Sequence, residues 1–418
     1  MRCRPAILLS LALLCPSLAL AATNPAVMDA IDARLEASFD ELVEIRRDIH
    51  RNAEPAGAET RTAAIVAERL REFGLEVQTG VGGHGVIGIL RGKHPGPVIG
   101  YRADMDAMAT AAADPVDFAS VNPEANHVCG HDIHTTVALA IAEALASQKH
   151  NLHGTVKFVF QPAEETATGA AAMIEDGVMN DPAPDRFLAL HCGRVPTGQL
   201  LLLEGMALPG LEIVTVRCSG DGDLEAAATT AAGAFMAINN TGPPMGSSFM
   251  DLLVPPDRPY RVGNVIGAEP DAETGDLLLT GFVKASDEAS YAEARKLLQQ
   301  HVNEIEVDGV ELELTFEGQG LPPMVNDIAL CRTTVASARA VLGEENVLSM
   351  TGSVPFFGED FSYFQERVPG VMYFLGVANP AKGMNGMPHA PNFSADEDAI
   401  LVGARAMCAM ILGEMAGE

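Results

Sequence analysis

Strand-like and helix-like segments alternate from residue 75 to residue 191, break off near Leu211, and resume after Pro322. Apolar runs predict strands at 75–79, 86–91, 98–102, 155–160 and 187–191. Helical spacing predicts helices at 30–47, 59–73 (closing at Gly74), 134–147 and 170–176. Strand–helix alternation of this kind predicts an α/β fold, a sheet covered by helices. Between residues 211 and 321 the pattern differs. Strands at 212–218, 276–284 and 310–316 alternate apolar with polar residues around helices at 224–238 and 289–305. That grouping suits a separate α+β sandwich. The expected architecture is therefore an α/β domain, a mixed sheet flanked by helices, built from residues 22–210 and 322–418. An α+β sandwich lid, residues 211–321, is inserted into it.

The first residues read as an export signal. Arg2 and Arg4 precede an apolar run over residues 6–14, and Ala19-Leu20-Ala21 offers a cleavage site. Residues 1–21 are thus expected to be removed and the mature protein to be periplasmic or secreted. The apolar run is short for a membrane span, and no later segment reads as long enough, so no span is expected after processing. The chain carries 27 basic and 56 acidic residues, a net charge of −29. A field of that sign repels phosphate backbones and excludes nucleic acid as a partner. Cys129, Cys192, Cys218, Cys331 and Cys408 remain after the signal, an odd set that leaves at least one thiol free or bound to metal.

Ligand-capable residues gather in four stretches. His127-Val128-Cys129-Gly130-His131-Asp132-Ile133-His134 sets a thiol and an imidazole two residues apart, donors that suit a divalent transition metal. Asp106 or Asp132 could orient an imidazole. Phe160-Gln161-Pro162-Ala163-Glu164-Glu165 follows a predicted strand at its C-terminal end, where open α/β sheets place their sites. Two adjacent carboxylates repel and need a cation if buried. One can bind metal while the other moves a proton. His191 ends another predicted strand, and His389 lies in a Gly- and Pro-rich loop.

Taken with Arg46-Arg47-Asp48-Ile49-His50, Tyr101-Arg102-Ala103-Asp104-Met105-Asp106-Ala107, Pro323-Met324-Val325-Asn326-Asp327 and Gly358-Glu359-Asp360-Phe361, these stretches run nearly the full mature length. In order and spacing the chain resembles the metallopeptidase family that includes glutamate carboxypeptidase, aminoacylase, hippurate hydrolase and the plant auxin-conjugate hydrolases. Within that family it is most similar to the N-acyl-amino-acid amidohydrolases. The resemblance implies a zinc-peptidase-like catalytic domain with an inserted lid that often forms homodimers. It implies two divalent ions, Zn or Mn foremost and Co or Ni as alternatives, held by Cys129, His131, Glu165, His191 and His389. Glu164 would be general base and then acid in water's attack on an amide, with Asp106 steering a ligand histidine. Asn264, Glu359 and Asp360 would contact substrate, a small N-acyl amino acid or a short peptide.

The sequence departs from the family in its lid. Relatives carry an early Gly-Gly-His-like motif whose histidine supports the oxyanion from the partner subunit. Here the stretch reads Ser219-Gly220-Asp221-Gly222-Asp223, and no histidine occurs between His191 and His301. Lys284 stands where the family has an arginine, a point charge in place of a planar fork. Glu54-Pro55 reverses the usual order of that pair.

Overall fold

The computed structural model describes residues 24–111, 114–241 and 249–416. The export signal expected at residues 1–21 lies outside them. Asn24 caps the first helix through its side chain, with Pro25 at the start, so α1 (Pro25–Arg51) begins earlier than the apolar spacing alone suggested. α2 (Thr60–Glu72) is capped from a distance. The Glu54 carboxylate accepts from the Arg61 and Thr62 amides, an anion at a helix N-terminus.

The larger sheet collects β1 (Glu76–Val81), β2 (Gly85–Arg91) and β3 (His94–Asp104). After α3 (His131–Ser147), β4 (His153–Gln161) and α4 (Gly169–Glu175) come β5 (Arg186–Pro196) and β6 (Leu200–Leu208). The chain then leaves for the lid. There β7 (Leu211–Gly220), α5 (Leu224–Ala237), β8 (Arg261–Pro270), β9 (Leu277–Ala285), α6 (Glu288–Asn303) and β10 (Val310–Leu321) form a four-stranded sheet in the order β10-β7-β9-β8. It returns through β11 (Met324–Asn326), α7 (Ile328–Leu342), β12 (Val347–Thr351), α8 (Ser362–Gln365), β13 (Gly370–Ala378) and α9 (Ala399–Ala416). The first sheet is nine-stranded, ordered β1-β2-β4-β3-β5-β13-β6-β11, with β12 beside β6.

Five strands had no predicted bounds: β11, β12 and β13, in the stretch where the sequence shows only a resumed alternation, and β6 and β8. In β6 a run of leucines is buried on both faces and shows no alternation. β8 is an edge strand interrupted by Gly263 and Gly267 and ended by Pro270. The membrane reading also needs correcting. α9 is apolar and long enough by composition to cross a bilayer, yet 67% of it is buried within the protein. It packs with α1, α3 and α7 over the sheet, and a helix apolar all round is what such a central position requires. The lid has its own core, where Val214, Val216, Leu279 and Val283 of the sheet meet Phe235 and Leu298 of the helices.

What positions the chemistry is the parallel block β4-β3-β5-β13. Its register pairs Asp104 with Gln161, Arg102 with Ala189, and His191 with Phe374. Asp104, Gln161 and His191 therefore stand at one level on the C-terminal edge. β3 lies between the strands that follow it, so the strand order reverses at this point and opens a crevice.

Asn326 secures the return from the lid. Its side-chain amide donates to the carbonyl of Leu203 (2.8 Å), and its oxygen accepts from the amide of Met372 (2.9 Å) and from Gln365 (3.1 Å). It thus binds β6 to β13 with no exposure to solvent. Asn326→Ala leaves these buried groups without partners. It is expected to destabilise the fold by about 2–4 kcal/mol, read as a lowered urea midpoint at unchanged m-value.

Candidate active site

Gly130 starts the site. It takes a left-handed conformation (φ 91°) as the N-cap of α3, and a Cβ there would meet the Cys192 sulfur at 2.8 Å. The tight turn lets Cys129 and His131 on either side of it reach the same crevice. Cys129 Sγ lies 3.4 Å from His191 Nε2. Ligand atoms of Cys129, His131 and His191 fall within 4.8 Å of one another, and so do those of Cys129, Glu165 and His389. Cys129 belongs to both groups, the position of a shared donor.

The imidazoles are oriented from behind. His131 Nδ1 donates to the backbone carbonyl of Asp106 (2.8 Å), with Asp106 Oδ1 also close at 3.3 Å. Its Nε2 then faces Glu164 and Glu165, 3.8 Å from a carboxylate oxygen of each. His191 Nδ1 donates to the carbonyl of Cys192 (2.8 Å), which turns Nε2 toward Cys129. His389 Nε2 stands 3.6 Å from Glu165 Oε2. The Asp106 carboxylate accepts from the Glu165 amide at 2.9 Å, so one residue steers two expected ligands, His131 through its backbone carbonyl and Glu165 through its side chain.

The loops carrying these groups are strained. Among the described residues, the non-glycine positions with positive φ are Ala163, Ala167 and His389, and each is in or beside the site. Such a conformation costs about 1 kcal/mol or more per residue and persists only when surroundings impose it. The buried carboxylate of Glu59 accepts from the Ala163 amide (2.8 Å), the Ala167 amide donates to Glu164 O (2.7 Å), and the His389 amide donates to Val128 O (2.8 Å). Glu59 is a supporting residue that the sequence did not single out, since it reads there as an ordinary helix start.

Charge is the governing feature. Arg102, fully buried, reaches Asp104 (2.5 Å), Glu359 (2.8 Å) and Asp360 (3.0 Å) and donates to Gln161 (2.9 Å). Burial, joined by the carboxylates of Glu359, Asp360 and Glu165, pushes Glu164 well above its usual value. Burial and Glu165 likewise raise the Cys129 thiol. Burial opposes a charged His131, but Asp104 and Cys129 outweigh it and hold that pKa well up. Burial and His134 press His191 down toward neutral imidazole. His134 itself donates to Asp104 at 2.6 Å and accepts from the Cys192 amide at 2.7 Å, bracing β3 against β5.

The expected residues separate as follows. Cys129, His131, Glu164, Glu165, His191 and His389 converge, with Asp106 behind them. Asn264 and Glu359 line the adjoining cleft, as does Lys284. Asp360 does not line it. Both its oxygens are committed inside the protein, to Arg102, Gln161 and the Ala170 amide, so substrate contact gives way to a structural pairing. His301 sits in the last turn of α6, away from the cleft. The cysteines Cys129, Cys192, Cys218, Cys331 and Cys408 are all free and buried.

The donor set fits divalent metal. His131 Nε2 and Glu165 Oε1 are buried 3.8 Å apart and have no hydrogen-bond partner, and a thiol, imidazoles and a carboxylate suit Zn or its neighbours.

A model of "Peptidase family M20/M25/M40" matches residues 100–413. An IAA-amino acid hydrolase of Arabidopsis thaliana is 31% identical over 387 residues, covering 88% of this chain and 84% of that protein. A thermostable carboxypeptidase of Saccharolobus solfataricus is 31% identical over 380 residues, covering 88% of this chain and 93% of its own. A dinuclear metal-binding peptidase of the M20 family from Bacillus subtilis shares the fold, with a TM-score of 0.69 at 23% identity, over 91% of this chain and 99% of that one.

Metal binding must displace protons from Cys129 and His131, whose pKa values stand raised. Affinity for Zn or Mn should therefore fall as pH falls, with proton release seen by calorimetry in buffers of differing ionisation enthalpy. Asp106→Asn should weaken metal affinity about 10–100-fold.

Proposed function

The chain belongs to peptidase family M20/M25/M40 and is a metal-dependent hydrolase, and from this premise we propose that it cleaves the amide bond of N-acyl amino acids. The observation that carries the reading is Glu164. Its carboxylate stands 3.8 Å from His131 Nε2, beside Glu165, and lines a cleft fit for a small molecule, where burial and neighbouring carboxylates raise its affinity for a proton. A protein that merely stored metal would have no use for such a group. The relative named for IAA-amino acids supports an amino-acid conjugate as substrate.

Divalent ions held by Cys129, His131, Glu165, His191 and His389 would supply Lewis acidity toward the amide carbonyl and the attacking water. Zn and Mn suit this donor set first, Co and Ni next. Glu164 removes a proton from the water during attack and returns it to the departing nitrogen. Asp106 keeps His131 aimed, and Arg102 keeps Glu359 beside Glu164. On the lid, Asn264 and Lys284 face the substrate's carboxylate end; Lys284 donates to the Phe357 carbonyl at 2.7 Å, so it also ties the lid to the catalytic domain. In this reading the protein is exported, and the open edge of β8 is where a second copy pairs.

A second reading, dipeptidase or carboxypeptidase, follows from the carboxypeptidase relative. One assay separates them: N-acetyl and N-benzoyl amino acids against dipeptides, with added Zn or Mn. Glu164→Ala should lower kcat by about 10²–10⁴ while metal stays bound. Equal rates for the parent protein and Glu164→Ala on every substrate would overturn both.

A further inference from the structure

None of the residues from Arg46 to His50 on α1 belongs to the ligand cluster or lines the cleft beside Glu164, yet two of them reach the turn that carries Cys129 and His131. His50 is 2% exposed, and both its ring nitrogens are engaged. Nδ1 lies 2.9 Å from Asp132 Oδ2, and Nε2 lies 2.9 Å from Asp114 Oδ2. Burial works against charge on Asp132, but Arg46 and His50 outweigh it and hold its pKa down. Burial opposes charge on Asp114 as well, and the bond from His50 leads the groups that outweigh it. Ionised carboxylates only accept, so both N–H groups of His50 donate and the ring carries a positive charge.

The two carboxylates serve opposite ends of one short segment. Asp132 follows His131 directly at the start of α3. Asp114 accepts from the Asn126 side chain at 3.2 Å, and Asn126 shortly precedes Cys129 in the chain. One imidazole therefore brackets residues 126–132, through Asp132 at one end and through Asp114 and Asn126 at the other. Arg46 Nε reinforces the first end, 2.6 Å from Asp132 Oδ2. The ring of Phe118 seals the bracket, its centroid 4.6 Å from the Arg46 guanidinium and 5.2 Å from that of His50. Within the bracket the chain turns on Gly130, so the spacing of the Cys129 sulfur and the His131 imidazole depends on where the two ends are held. On the reading that Cys129 and His131 hold metal, we propose that His50 is a positioning residue for the metal centre: a cation shared by Asp114 and Asp132 that fixes both ends of the segment and thereby the separation of its two ligands.

The test reads metal rather than turnover. Cobalt(II) bound to the parent protein should show a thiolate-to-cobalt charge-transfer band that Cys129→Ser abolishes. His50→Gln cannot donate in two opposite directions, and it should weaken cobalt affinity about tenfold and diminish or shift that band. Asp114→Ala, further from the turn, should act in the same direction by a smaller factor. The double variant should lose little more than His50→Gln alone, because both changes open one bracket. Leu35→Ala, on the buried face of the same helix, is the control: it should lower the urea midpoint and leave cobalt affinity and the band unchanged. If His50→Gln does not fold, Asp114→Ala carries the comparison. A cobalt affinity that changes no more in these variants than in Leu35→Ala overturns the inference and leaves the metal ligands standing. Fully additive losses in the double variant overturn it too. If the parent protein shows no Cys129-dependent band, the ligand assignment falls and this inference falls with it.

Discussion

Asp104, Asp106, Glu164, Glu165, Glu359 and Asp360 crowd the C-terminal ends of β3 and β4, and Arg102 is the buried guanidinium set among them. Carboxylates so placed cannot all remain charged in a desolvated space without cations. Arg102 answers for Asp104, Glu359 and Asp360. Glu164 and Glu165 are not among its ion-pair partners and stand beside imidazoles and a thiol. The remaining charge deficit is what turns a cluster of polar side chains into a place for divalent metal, and it makes the neighbouring Glu164 ready to hold a proton.

Keeping that cluster in place requires backbone the chain would not adopt alone. Ala163, Ala167 and His389 sit in left-handed conformations, each held by a hydrogen bond from another part of the site. The strain is local, and it aims three side chains into one small volume. The sheet beneath is rigid: β3, β4, β5 and β13 are buried on both faces, and Asn326 binds β13 to β6 where the chain comes back from the lid. Precision at the site thus comes from regular structure below and imposed geometry above.

The lid plays a different part. Its core is separate, and it supplies the cleft with Asn264, Phe282 and Lys284. Lys284 is nearly fully buried, and burial pulls its pKa down to about 8. A cation of that kind is a weaker and less directional anchor than a guanidinium.

Much of this was readable from residue order alone. Helical spacing, alternating strands and the change of pattern at Leu211 disclosed the α/β domain and its inserted sandwich, because amphipathic periodicity is a local property. The ligand types were legible for the same reason: Cys129 with His131, and Glu164 with Glu165, are neighbours in the chain. β6 and β8 were not, since one is buried on both faces and the other is an edge broken by glycine. Nor could sequence tell that Asp360 turns inward to Arg102 while Glu359 beside it borders the cleft, or that Glu59 pins the loop of Glu164. Those facts depend on contacts between residues a hundred or more positions apart, and only the folded register of β3 against β4 and β5 determines which side chain meets which.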